Sequence, residues 1–373
     1  MTYQKNKYLL VNPYCGVNQD IPNMSLAYLA GHLSSKIIDL NTQQKPSDRF
    51  LNEQADILAL SVQTRNYSVA TELAKAYKKK FPNAAVKSIS GFVDVQCCYP
   101  YVDFNDSLKI DLEFSDNLPF PNFELFDSID IFKGNWGSGK WPYPVMTSLG
   151  CPFQCTYCAS RNRKVRWRST KNCKEELLRA VDKYGIKSFV VLDDCFNYSK
   201  SRVVDFCETI GSVSLPWMCS NGLRADMFDE KIALALKNAG CVQLSFGIES
   251  VSPTVLNNIK KGEIIEQIEQ AVVVAKKHFK TVNGYFIIGL PGSTYEKDLE
   301  SLHWAKQHGI NAFFSYYIPQ EKALDHLFYG NKAEPVSDVY PKDLQKKIYE
   351  ATRYMRPFSW RDPLSTWIKR IIK

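Results

Sequence analysis

The chain has 373 residues, 45% of them hydrophobic and 23% charged, with only 18 Gly and 18 Pro. This excludes a disordered, collagen-like or low-complexity chain and leaves room for one large domain beside a smaller one. Eleven cysteines are an odd count, and the opening residues lack the basic, apolar, small-residue order of a secretory signal, so a reducing cytoplasm without disulfides is expected. The net charge of +8 is uneven, with 12 Lys+Arg against 15 Asp+Glu up to Asp130 and 35 against 24 beyond it. No window reaches the roughly 18 apolar residues that a membrane-spanning helix needs.

Over the first hundred residues, apolar runs at 8–12, 37–40, 57–63 and 84–90 alternate with helical patterns at 25–33 and 68–81. That rhythm predicts an open α/β layer with a mostly parallel sheet. Residues 92–143 lose it, carry the vicinal pair Cys97 and Cys98 and several Pro- and Gly-rich turns, and read as a strap or linker. A stronger rhythm begins at Pro144. Strand candidates at 144–149, 188–192, 216–220, 242–248, 285–290 and 312–318 are separated by helix candidates at 173–185, 202–211, 229–240, 263–279 and 296–309. Successive βα units with right-handed crossovers curl into a full or partial barrel, with ligands at the C-terminal strand ends.

Directly after the first of these strands comes Cys151-x3-Cys155-x2-Cys158. Three thiolates on one short loop hold three irons of a 4Fe-4S cube and leave the fourth iron open. A structural zinc site wants four ligands, usually in two pairs, and no second pair follows. A ferredoxin-type carrier would show a four-cysteine run. Polar residues recur at the later strand ends: Asp193 and Asp194, then Ser220 and Arg224, then Glu249, then the Ile288, Gly289, Pro291, Gly292 turn. Carboxylates receive an ammonium and a guanidinium receives a carboxylate. Singly, each acid is equally a helix cap or surface charge and each glycine an ordinary turn; recurrence at consecutive strand ends favours one site. Arg161, Arg163, Lys164, Arg166 and Arg168, around Trp167, suit an anion or a solvated basic loop.

With Tyr157 preceding its third cysteine, the loop resembles the cluster loop of the radical S-adenosylmethionine (SAM) superfamily. The runs from Pro22 to Gly31, Leu118 to Asn122, Val165 to Ser169, Asn238 to Ser250 and Ile259 to Gly262 resemble the branch with an N-terminal cobalamin-binding-type domain. The resemblance implies an N-terminal Rossmann-like open sheet followed by a partial (β/α)6 TIM-type barrel: a reduced Rossmann-like domain over 1–120, a linker over 121–143, the barrel over 144–335 and a C-terminal helical extension over 336–373. It implies a 4Fe-4S cluster on Cys151, Cys155 and Cys158, with SAM contacted by Tyr157, Asp193, Asp194, Ser220, Arg224, Glu249, Ile288, Gly289 and Pro291. It further implies reductive cleavage of SAM to a 5′-deoxyadenosyl radical that abstracts hydrogen from a small-molecule, natural-product or peptide substrate, with flavodoxin or ferredoxin as external electron donor.

The subclass stays open between methyltransferase, cyclase, dehydrogenase and others. A cobalamin-dependent methyltransferase is one alternative, yet the branch's Asp-x-His-x-x-Gly loop is missing and His32, the only histidine in the first 270 residues, reads as a helix-surface residue. A tRNA-modifying enzyme ranks low without an RNA-binding module, and no nucleic-acid partner is expected. A non-catalytic zinc scaffold is the remaining alternative. Cys195 is a candidate hydrogen donor to a substrate radical, or a small buried hydrophobe. Tyr316, Tyr317 and Gln320 are candidate substrate contacts, and 367–373 is expected to form a short amphipathic helix.

Overall fold

The structure is a computed structural model that describes residues 6–13, 23–40, 48–62, 67–89, 107–108, 113–126, 142–158, 160–219, 221–319, 335 and 337–352. Cys97, Cys98, Ser220, Gln320 and the 367–373 segment lie outside these. The chain forms two compact units: Met1–Gly150 with Arg163–Asp194 and Gln320–Ala333, and Cys151–Asn162 with Cys195–Pro319 and Glu334–Lys373.

The first unit contains, in order, β1 (Asn6–Asn12), α1 (Met24–Leu33), β2 (Ile37–Asp39), β3 (Ala55–Leu60), α2 (Tyr67–Lys80), β4 (Ala85–Ile89), β5 (Ser107–Leu108), β6 (Tyr143–Val145), β7 (Ser148–Leu149), β8 (Arg166–Trp167), α3 (Thr170–Tyr184) and β9 (Phe189–Val191). Five strands form a parallel sheet ordered β2-β1-β3-β4-β5, the order whose ligands bind where the winding reverses, between β1 and β3. The strands are apolar because both faces are covered: Leu9, Val11, Ile38, Leu58 and Leu60 pack with Phe50 and Tyr77. Asn23 caps α1 by accepting from the Leu26 N–H at 3.2 Å, and His32 is exposed on its surface.

Two features of this unit depart from the sequence expectation. A short fifth strand, β5, extends the sheet. Phe114, Leu118, Phe123 and Phe126 of the expected linker are buried; Phe126 bridges to Ile37 and Phe123 meets Tyr143 edge-on at 5.4 Å. Removing such side chains from water is worth about 1.5–3 kcal/mol each, so these residues pack as core rather than as a free tether. Strands β6 and β9 run parallel, while β7 and β8 pair antiparallel, Ser148 opposite Trp167 and Leu149 opposite Arg166.

The second unit continues with α4 (Lys200–Ile210), β10 (Trp217–Cys219), α5 (Glu230–Asn238), β11 (Cys241–Glu249), α6 (Pro253–Asn258), α7 (Ile265–His278), β12 (Thr281–Ile288), α8 (Tyr295–Gln307), β13 (Asn311–Tyr316) and α9 (Lys342–Thr352). Strands β10 to β13 pair in parallel, each with the next in the chain. Each helix turns an apolar face to the strands, as α7 does with Ile268, Ala271, Val272 and Ala275. The six strands and five helices of the expected βα series lie within a few residues of their predicted places; α6 is additional. Cys173, Cys207, Cys219 and Cys241 are buried, and burial pushes the Cys207 and Cys241 thiols up to about 12, which makes them inert core residues. Among the described residues no helix is long and apolar enough to cross a membrane.

Candidate metal centre

The cysteine loop is shaped by its own backbone. At Gly150, φ is +99°, and a Cβ there would stand 2.4 Å from the Lys164 carbonyl oxygen, so only glycine fits before Cys151. The Gly150 N–H donates to Asp194 Oδ2 at 2.7 Å. Farther on, the Asn162 N–H donates to the Phe153 carbonyl at 2.8 Å, the Cys158 N–H to the Cys155 carbonyl at 3.1 Å, and the Thr156 N–H to the Ile259 carbonyl at 2.9 Å. Arg161 closes the turn by donating to the Thr156 carbonyl. Cys155 is buried, Cys151 and Cys158 are half-buried, and none of the three is in a disulfide.

Beside the loop lies a buried set of charges. A register shift in β11 between Gly247 and Glu249 accompanies φ of +67° at Glu249, a bulge of the kind that re-aims a side chain beside a site. The Glu249 carboxylate receives the Tyr157 hydroxyl. Lys261 Nζ lies 3.5 Å from Glu249 Oε1 and 3.2 Å from Glu263 Oε2. Burial opposes the Lys261 charge, but Glu263 and Glu249 hold its pKa above the ordinary lysine value. Burial raises Glu249 against the pull of Lys261 and Tyr157. Burial also raises the Cys155 thiol, with Lys261 and Arg224 pulling it back toward the thiolate. Arg224 lies 3.6 Å over the Phe153 ring of the loop and grips Asp226 through Nε at 2.9 Å and Nη2 at 2.7 Å.

The structure assigns several predicted residues to work within the fold. Asp193 accepts from the Thr147 N–H at 2.7 Å, Thr147 Oγ1 at 2.5 Å and Ser148 Oγ at 2.7 Å; with Asp194 it ties the end of β9 to the chain entering the cysteine loop. Arg224, expected to meet a ligand carboxylate, is instead engaged by Asp226 two residues on and by the Lys261 carbonyl at 3.0 Å, because the Arg-x-Asp spacing supplies a carboxylate locally. At Gly289 the space a Cβ would take holds Gln345 Oε1 at 2.8 Å and Ser337 Cβ at 3.1 Å, and at Gly292 it holds Asn258 Nδ2 at 1.9 Å. These glycines admit the chain's own side chains from α9 and α6. Ile288 is fully buried and Pro291 half-buried. Tyr316 is buried and stacks on Tyr349 of α9 at 5.0 Å, which corrects its placement at an open mouth; Tyr317 is half-buried and donates its N–H to the Ile288 carbonyl.

The basic run is broken up as well. Arg168 is 1% exposed, lies 2.5 Å from Glu176 and donates to Tyr28 OH at 3.1 Å and the Met146 carbonyl at 3.0 Å. Lys261, Glu263, Asp226 and Phe153 were missed as site residues; the Arg-x-Asp and Lys-Gly-Glu spacings were the available signals. Among the described residues no three His, Cys, Asp or Glu side chains converge on a point for a single ion, whereas a cubane takes each thiolate on its own iron. Three cysteines outside any disulfide on a preshaped loop, beside two buried cations that favour thiolate, fit such a cluster.

Residues 145–305, the stretch that holds the three cysteines, match the family model of the radical SAM superfamily. An uncharacterized methyltransferase of Pyrococcus horikoshii is 38% identical over 199 residues, covering 52% of this chain and 42% of that protein. The anaerobic magnesium-protoporphyrin IX monomethyl ester cyclase of Cereibacter sphaeroides is 22% identical, covering 80% of this chain and 58% of that protein. The chain thus spans about half the length of these curated relatives. Among solved structures, the radical SAM methyltransferase TsrM of Kitasatospora setae is similar with a TM-score of 0.63 at 15% identity, covering 83% of this chain and 72% of that one. The cobalamin-dependent SAM radical enzyme OxsB, with cobalamin and SAM bound, is similar with a TM-score of 0.62 at 17% identity, covering 94% of this chain and 56% of that one. These likenesses establish the fold class, a Rossmann-like parallel sheet followed by a partial TIM-type barrel, and the family's cofactors are a 4Fe-4S cluster and SAM.

Proposed function

We propose that the protein is a radical SAM enzyme acting on a small-molecule, natural-product or peptide substrate. The observation that supports this most is the Cys151, Cys155, Cys158 loop set beside the buried Lys261 and Arg224 cations. When bound, the cluster supplies the electron that breaks the sulfur–C5′ bond of SAM and yields the 5′-deoxyadenosyl radical that takes hydrogen from substrate. Cys151, Cys155 and Cys158 hold three irons, and the two cations offset the negative charge that the thiolates bring. The Tyr157 hydroxyl, held by Glu249, fixes the loop between its second and third cysteines. Asp193 and Asp194 hold the loop's entry. The electron comes from an external flavodoxin or ferredoxin. Anaerobic reconstitution with iron and sulfide, followed by SAM and dithionite, should yield 5′-deoxyadenosine, and Cys→Ala at the three positions should abolish it. Product that persists in the triple variant would overturn the assignment, and zinc in place of iron in anaerobically purified protein would favour the scaffold reading.

A second reading, cobalamin-dependent methyl transfer, is favoured by the β2-β1-β3-β4-β5 parallel sheet and by the methyltransferase and cobalamin-dependent names of the relatives. Corrinoid absorbance in protein produced with cobalamin, and S-adenosylhomocysteine formed beside 5′-deoxyadenosine, would support it; full activity in corrinoid-free protein would exclude it. Of the basic run behind the tRNA-modifying reading, Arg168 is buried against Glu176, while Arg161, Lys164 and Arg166 stay exposed.

A further inference from the structure

Cys195 is a buried thiol that the chemistry above does not use. It follows β9 directly after Asp194 and is 4% exposed. Two neighbouring pairs run in step: Gly150 bonds to Asp194, and one residue later on each side the thiols of Cys151 and Cys195 hydrogen-bond to each other. The backbone around Cys195 is pinned, its carbonyl taking the Tyr198 N–H at 3.3 Å. Two residues on, the Asn197 side chain is locked to the Arg224 backbone by bonds of 2.8 and 3.0 Å. These contacts hold the Cys195 backbone beside the loop; the Cys151 thiol and burial push the Cys195 thiol up, and Arg224 and Lys261 pull it back toward the thiolate, as they do Cys155. Cys207 and Cys241, the contrasting case, are in each other's electrostatic reach within the core and have no loop cysteine among their partners.

A cluster held by three cysteines has one iron without a protein ligand, and thiolate is a ligand that iron–sulfur clusters accept readily. We propose that Cys195 ligates this fourth iron whenever SAM is not bound, a resting-state role that rests on the radical SAM reading of the loop. Ligation forms one iron–sulfur bond and releases the thiol proton to solvent. SAM binding reverses it: the amino and carboxylate groups of SAM take the iron, the thiolate regains a proton, and no electron is transferred. Cys195 thereby protects the open iron from loss and competes with SAM for it.

The test compares wild type, Cys195→Ala and Cys195→Ser, all reconstituted anaerobically, by iron and sulfide content and by electron paramagnetic resonance without SAM, before and after mild ferricyanide oxidation. Wild type should keep its cluster, whereas Cys195→Ala should lose the fourth iron and show a 3Fe-4S signal several-fold stronger than wild type. Cys195→Ser, with an oxygen ligand, should keep four irons but shift the reduced-cluster spectrum. Added SAM should erase the difference in iron loss, and Cys195→Ala should bind SAM several-fold more tightly. Superimposable reduced spectra and equal 3Fe-4S yields in wild type and both variants would overturn the role of Cys195 while leaving the radical SAM reading intact. Wild-type protein that assembles no 4Fe-4S cluster would overturn that reading itself.

Discussion

Lys261→Met is the sharpest probe of the buried charges beside the cysteine loop. The side chains of Lys261, Glu249 and Glu263 are 6%, 11% and 0% exposed, and the ammonium stands 3.5 and 3.2 Å from the two carboxylates. At an effective dielectric constant of about 20, Coulomb's law gives about 5 kcal/mol of attraction for each contact, and desolvation of the three ions offsets much of it. The substitution leaves two buried carboxylates, with Arg224 4.0 Å from Glu263, and stranding buried charge in this way costs about 3–5 kcal/mol. Urea unfolding of cluster-free protein under reducing, anaerobic conditions, followed by tryptophan fluorescence, measures the cost. With an m-value of about 2 kcal/mol/M the midpoint should fall by about 2 M. Adding Glu263→Gln should recover about 1–2 kcal/mol, because one stranded charge is gone while Oε1 still accepts from the Ala225 and Asp226 N–H groups. A loss below about 1 kcal/mol, or a double variant no better than the single one, refutes the charge balance described here.

Three further outcomes are expected. Gly150→Ala places a Cβ 2.4 Å from a backbone oxygen at a φ of +99°, so iron loading after reconstitution should drop sharply while far-ultraviolet circular dichroism stays unchanged; full loading would show that the loop yields freely. Tyr340→Phe removes a donor to Asp298, which holds the Gly289 N–H at 2.8 Å and Ser293 Oγ at 2.6 Å, and loss of about 1 kcal/mol of positioning should raise the KM for SAM several-fold with kcat little changed. Asp229 caps α5 through the Ile232 N–H at 3.0 Å and pairs with Lys200; burial opposes its charge slightly, but these partners lower its pKa. A depressed carboxyl stabilises the fold above its unfolded pKa of about 4 and loses that contribution as pH falls through the lower folded value. Asp229→Ala should therefore cost about 1 kcal/mol near neutral pH, and the difference in thermal midpoint from wild type should close in acid; a gap that persists there would contradict the assignment.

Local pattern carried most of the architecture. The apolar runs that become β10 to β13 and the amphipathic stretches that become α3 to α5, α7 and α8 are legible because strand and helix periods are properties of neighbouring residues. The three cysteines are legible for the same reason, since one loop supplies them all. Less was legible at 113–126, where Pro-rich turns masked four apolar residues that bury themselves, and in the glycines of the 289–292 turn, which serve contacts from Gln345 and Asn258, both at least two elements away in the chain.

The sequence by itself determined the parallel α/β class and the three-cysteine loop, because spacing along the chain is enough to specify a period and a three-thiol loop. Only the tertiary structure decided what stands beside that loop. Tyr157 meets Glu249 through a bulge, Lys261 settles between Glu249 and Glu263, Arg168 leaves the basic run to pair with Glu176, and Cys195 comes against Cys151. Each of these joins residues through burial, where a charge or thiol must find a partner once water is gone, and no spacing along the chain records which partner that will be.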